Sequence, residues 1–142
     1  EITTAGFQRR CGRAGEVAVL SAAQLNALST TGLANLTTAQ IAALTASQIT
    51  ALNQVAVGAL VDTQVAALAT TQLNALAATQ IAALATTGID GLTTDEIAAL
   101  TTTQIKGFAA TAIGSLTTTQ LAAFATTQIA ALSGAGVIAL AI

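Results

Sequence analysis

Apolar and polar residues recur along this chain with a period of eight, in one register and without a gap from residue 13 to residue 140. From Thr37 the octads read TTAQIAAL, TASQITAL, NQVAVGAL, VDTQVAAL, ATTQLNAL, AATQIAAL, ATTGIDGL and TTDEIAAL. They continue as TTTQIKGF, AATAIGSL, TTTQLAAF, ATTQIAAL and SGAGVIAL, and run backwards from Thr37 as STTGLANL, SAAQLNAL and RAGEVAVL. Position 8 is always Leu or Phe, position 5 is always Ile, Val or Leu, and position 7 is nearly always Ala, Gly or Ser. Self-similarity at a fixed period marks a repeat architecture, in which each unit buries its apolar face against its neighbours. The chain divides into a non-repeating segment at 1–12, a single repeat domain at 13–140 and a C-terminal end at 141–142.

Six of the octads open with a helix-start signal. Ser or Thr at position 1 with Gln or Glu at position 4 forms a capping box: the hydroxyl accepts from an orphan backbone N–H, and the longer side chain reaches back to the cap. The pairs are Ser21 with Gln24, Thr37 with Gln40, Thr45 with Gln48, Thr93 with Glu96, Thr101 with Gln104 and Thr117 with Gln120. Ala69, Ala77 and Ala125 break the box at position 1; where a Thr follows at position 2, it is the candidate cap one residue later. Glutamine at position 4 is assigned to capping rather than to a binding groove.

Positions 5 and 8 lie three apart, on one face of a helical turn. A single continuous helix does not fit them. At roughly 100° per residue, eight residues overshoot two turns by about 80°, and the apolar stripe would circle the helix within about five repeats. The chain must bend once per octad, and helices this short need stacking to be stable. The expected fold is all-α, a solenoid of short capped helices, one per octapeptide. Its core is expected at Ile41, Leu44, Ile49, Leu52, Val65, Leu68, Leu73, Leu76, Ile81, Leu84, Ile97, Leu100, Ile105, Phe108, Leu121, Phe124, Ile129 and Leu132. A β-solenoid is the alternative, because Thr, Ile and Val favour strands. Against it, positions 5 and 8 would point to opposite faces of a strand.

Position 4 carries a longer period. Pairs of Gln or Glu octads are followed by one that lacks them, at Gly32, Ala56, Gly88, Ala112 and Gly136, with one additional Gln octad between 61 and 92. Three octads, or 24 residues, are therefore expected per coil, with the small residue at position 7 letting coils approach closely. The odd octads also gather Gly58, Gly91, Gly114 and Gly134. Their side of the coil reads as a tight corner or as a packing seam with another chain.

Composition narrows the chemistry. Charged residues are 7% of the chain and hydrophobic ones 54%, whereas disorder needs low hydrophobicity and high net charge. A net charge of −2 gives no electrostatic footprint for nucleic acid, and Arg9, Arg10 and Arg13 read as a solvated cluster. With no His and a single Cys11, nucleophilic triads and Cys/His metal sites are excluded. Cys11 reads as a free thiol rather than an interchain bridge. Asp90, Asp95 and Glu96 are close in sequence, but calcium takes six or more oxygens, and surface charge is the plainer reading. No catalytic residue, cofactor or small-molecule substrate is expected. No apolar run approaches the ~20 residues of a transmembrane helix, so a membrane is not an expected partner.

The motif Leu36-Thr37-Thr38-Ala39-Gln40-Ile41-Ala42-Ala43-Leu44 resembles the octapeptide arrays of large bacterial surface and secreted proteins, adhesin-like repeat proteins among them. The resemblance covers 13–140 and implies an extracellular or cell-surface location and a scaffold or fibre role. It carries over no active-site residues.

Exterior positions are Thr and Ala with hardly a charge, and the end SGAGVIALAI is apolar, where solitary solenoids need a polar cap. These features point to a self-assembling subunit of an extracellular filament or surface layer, stacking end to end on copies of itself. One alternative is a passive stalk or spacer in a large bacterial adhesin. Another is an ice-binding protein using the threonine array, which is interrupted at Ala22-Ala23, Gln54-Val55, Ala110 and Gly134-Ala135.

Overall fold

The computed structural model describes residues 14–84 and 86–132. The N-terminal segment with Arg9, Arg10, Cys11 and Arg13, the last octad with Gly134 and Gly136, and residues 141–142 lie outside the described residues.

Among the described residues every regular element is a short α-helix and none is a strand, which overturns the β-solenoid alternative. Fifteen helices are described, one per octad. They are α1 (Ala14–Val17), α2 (Ala22–Asn26), α3 (Thr30–Ala34), α4 (Thr38–Ala42), α5 (Ala46–Ala51), α6 (Gln54–Gly58), α7 (Asp62–Val65) and α8 (Thr70–Asn74). They continue with α9 (Ala78–Ala83), α10 (Thr86–Asp90), α11 (Thr94–Ala99), α12 (Thr102–Ile105), α13 (Ala110–Ser115), α14 (Thr118–Ala122) and α15 (Thr126–Ala131).

Each bend is made by extended residues at the octad junction. Leu52, for example, closes α5 at φ −65°, ψ 134°, and Asn53 opens α6 at φ −75°, ψ 167°. No described residue has positive φ, so the corners do not need glycine. The capping boxes form at Ser21, Thr37, Thr45, Thr93, Thr101 and Thr117, each hydroxyl accepting from the N–H of position 4. Where position 1 is Ala69, Ala77 or Ala125, the cap does not move to position 2. The glutamine half of the box survives alone, Oε1 of Gln72, Gln80 and Gln128 accepting the cap N–H at 2.7–2.8 Å.

The principal contacts between helices join helices three places apart. One stack contains α1, α4, α7, α10 and α13, a second α3, α6, α9, α12 and α15, and a third α5, α8, α11 and α14. Asn26 ties the end of α2 to the end of α5: its Nδ2 donates to Ala51 O, and its Oδ1 accepts from Asn53 N–H, both at 2.9 Å. The additional Gln octad leaves this spacing of three intact. As a result the octads without Gln change stack, from α3 and α6 in the second to α10 and α13 in the first. Their position 4 residues, Gly32, Ala56, Gly88 and Ala112, are buried.

Positions 5 and 8 are buried from Val17 to Leu116, apart from the half-buried Leu20. Among the expected core residues two differ: Leu121 is only half-buried and Ile129 is 41% exposed. They lie on α14 and α15, which have a helix stacked on one side only among the described residues. Phe108 and Phe124 meet edge to face, centroids 6.5 Å apart.

Small residues set the stacking distance. A Cβ on Gly91 would collide with the backbone of Asp62 on α7, and one on Gly107 with the carbonyl of Ala78 on α9. Gly114 on α13 has nothing within 4 Å of that position. Gly91→Ala should therefore destabilise the fold by about 1–3 kcal/mol, because backbone cannot yield as a side chain does. Gly114→Ala should stabilise it by about 0.5–1 kcal/mol through helix propensity. Urea unfolding of the two variants checks both signs.

Candidate functional site

The conspicuous polar construction is a ladder of glutamines at octad position 4. Gln40, Gln48, Gln64, Gln72, Gln80, Gln104, Gln120 and Gln128 are all buried, an unusual place for an amide side chain unless it is fully bonded. Each helix start supplies half of the reason. In Gln48, Oε1 accepts from the N–H of Thr45 at 2.8 Å, and the Thr45 hydroxyl accepts from Gln48 N–H at 3.2 Å. The other half lies far away in sequence. Gln48 Nε2 donates to the carbonyls of Val17, Ala18 and Leu20 at 3.0, 3.2 and 2.8 Å.

The same contacts recur by translation. Gln64 Nε2 reaches Leu33, Ala34 and Leu36. Gln72 reaches Ile41, Ala42 and Leu44, and Gln80 reaches Ile49, Thr50 and Leu52. Gln104 donates to Leu73 and Leu76, Gln120 to Asp90 and Leu92, and Gln128 to Ile97, Ala98 and Leu100. Partners lie 31, 30 or 28 residues earlier, at positions 5, 6 and 8 of the octad four places back. Each amide thus caps its own helix and fastens that helix to a corner of the level below. The last carbonyls of a short helix have no intrahelical partner, and the ladder supplies one. Gln24, in the second described octad, is exposed and makes only its cap bonds among the described residues.

Glu96 occupies this position with a carboxyl group. It is buried, 3% exposed. Its Oε2 accepts from the N–H and hydroxyl of Thr93 at 2.7 and 2.9 Å, as a glutamine Oε1 would. Its Oε1 is buried with no hydrogen-bond partner. Burial pushes the carboxyl above its ordinary value of 4.5, the bonds from Thr93 oppose this, and the neighbouring Asp95 carboxylate adds to the rise.

The carboxylates that sequence proximity groups together do not converge. Asp90 and Asp95 are exposed while Glu96 points inward, and no group of three or more His, Cys, Asp or Glu among the described residues could hold a metal ion. At the last described octads, Ile113, Leu121, Phe124, Ile129 and Leu132 line an open apolar cavity of about 20 Å³. That volume holds about one water molecule. Among the described residues no helix is long and apolar enough to cross a membrane.

Two stretches of the chain, 17–54 and 65–102, match the family model described as ALTTAQ repeat. Each match begins at position 5 of an octad, Val17 or Val65, and ends at position 2, Gln54 or Thr102, so both share the register that places the ladder. No curated protein and no solved structure matches the chain. Together the two stretches cover more than half of its length, and the chain belongs to the ALTTAQ repeat family.

Proposed function

We propose that the chain is a structural repeat protein, a three-sided solenoid of 24 residues per coil that stacks end to end on copies of itself into an extracellular filament or surface layer. The observation that carries this reading is the glutamine ladder. Every level is fastened to the next by one set of contacts repeated by translation. The same contact made between the first level of one chain and the last level of another would not close, and head-to-tail contacts that do not close produce an open fibre.

Both ends of the described array carry groups that its inner levels bury. Gln24 at one end has an exposed amide that makes only its cap bonds among the described residues. At the other, Ile129 is exposed and the apolar cavity opens between α13, α14 and α15. The uncharged Thr and Ala surface supplies little of the mutual repulsion that keeps soluble monomers apart.

Negative-stain electron microscopy of the purified chain at several concentrations tests the proposal. Uniform fibres that lengthen with concentration are expected, with Ile129→Lys and Leu121→Lys shortening them. Dispersed short rods at every concentration would sink self-assembly and leave the spacer reading, in which the ladder serves only to stiffen the chain. The ice-binding reading is less well supported. On the second stack the position 3 column runs Thr31, Val55, Thr79, Thr103, Thr127, and on the third Asp95 stands between Thr71 and Thr119.

A further inference from the structure

We propose that Glu96 is a proton-operated latch in the ladder, closed when its carboxyl group is protonated and strained when it ionises. The spacing of the ladder identifies what Glu96 faces. Glutamines at its position donate to carbonyls 31, 30 and 28 residues earlier, which for residue 96 are those of Val65, Ala66 and Leu68, at the corner following α7. An ionised carboxylate has acceptors only. It cannot bond to a carbonyl, and Glu96 Oε1 is accordingly left buried without a partner. A protonated carboxyl group carries one O–H donor. With the proton on Oε1, the side chain has the donor and acceptor pattern of the glutamines above and below it: Oε2 accepts at the Thr93 cap, and Oε1–H donates toward the Val65–Leu68 corner.

Apart from the two bonds from Thr93, the helices packed around α11 offer the carboxylate no compensating charge. Helices α8 and α14, packed on either side of α11, contain no titratable residue. Helix α7 contributes only Asp62, exposed at its far end. Asp95, beside Glu96 on α11, and Asp90 on α10 are both exposed acids, and the Asp95 carboxylate favours the neutral form of Glu96. Lys106 on α12 is exposed, as a solvated cation is.

The sign of the pH dependence follows from the raised carboxyl group. Below the ordinary value of 4.5, Glu96 is protonated whether the chain is folded or not, and the latch contributes in full. As pH rises through the higher folded value, ionisation is easier in the unfolded chain than in the fold, and stability is lost. The ladder is weakest at this rung in neutral and alkaline solution.

The test compares thermal unfolding of the full chain with that of Glu96→Gln between about pH 4 and about pH 8, together with a carboxyl-carbon NMR titration of Glu96 in the unaltered chain. Expected are a melting temperature that falls by several degrees as pH rises, loss of that fall in Glu96→Gln, and a higher melting temperature for the variant at neutral pH. Asp62, Asp90 and Asp95 remain in the variant, so any slope they cause survives there. Parallel profiles for the two chains would overturn the proposal. So would a Glu96 carboxyl group that titrates at or below the ordinary value of 4.5, a reading available even if the variant does not fold.

Discussion

Gln64→Leu should destabilise the fold by about 2–5 kcal/mol, far more than any surface substitution of similar size. Gln64 is 1% exposed. Its Oε1 accepts from Val61 N–H at 3.1 Å, and its Nε2 donates to the carbonyls of Leu33, Ala34 and Leu36, at 2.8 Å to both leucines. Leucine fills similar space but supplies neither donor nor acceptor. The Leu33 carbonyl keeps its bond from Leu36 N–H, so its loss is partial. The corner carbonyl of Leu36 and the cap N–H of Val61 lose the glutamine contacts described above. Each buried backbone group left unmatched costs about 1–3 kcal/mol.

Two further variants separate the ladder from the cap. Gln24→Leu removes a glutamine whose bonds among the described residues are those of the cap and should cost about 1 kcal/mol or less. Gln64→Glu preserves the acceptor and removes the donor, so it should be destabilising at neutral pH and recover in acid. Urea unfolding reads all three. Equal losses for Gln64→Leu and Gln24→Leu would show that the long-range half of the ladder contributes nothing.

The second large effect is expected at the core of the second stack. Ile105→Ala should cost about 2–5 kcal/mol, the range for a buried aliphatic side chain whose cavity cannot collapse. Ile105 is fully buried on α12, which is packed between α9 and α15. Collapse is resisted because the spacing is set by other groups: Gln104 is bonded to the carbonyls of Leu73 and Leu76 at 2.8 Å, and Gly107 already lies against the backbone of Ala78. Ile129→Ala, at a position 41% exposed, should cost well under half as much in a non-assembling sample. Because each level contacts only its neighbours, the damage should be local. Hydrogen exchange should quicken most in α9, α12 and α15. Uniform quickening from α2 to α15 would contradict stack-by-stack packing.

Much of the site lay in plain view at position 4, but its second role did not. A capping box accepts Glu as readily as Gln, because only an acceptor is required. Yet nine of the position 4 residues among the described octads are Gln and two, Glu16 and Glu96, are Glu. That preference for the amide was the available signal that a donor is needed as well. It does not say where the acceptors are. They lie 28 to 31 residues away, beyond the reach of any pattern within an octad.

The sequence by itself determined what is local. Period-eight apolar spacing puts positions 5 and 8 on one face, the Ser/Thr and Gln pairs start a helix in each octad, and the mismatch of eight residues with whole helical turns forces a bend. These are settled within one repeat, by propensity, capping and burial. Tertiary structure alone decided which octad meets which. Helices pack at a constant spacing of three through the extra Gln octad, so the octads without Gln move from one stack to another. It also buried Glu96 with one carboxyl oxygen lacking a partner, and among the described residues it left the helices of Leu121 and Ile129 stacked on one side only. The stacking depends on the summed angles of three successive corners and on bonds that close only when the level below is present. Identical octads therefore acquire different surroundings from their place in the stack.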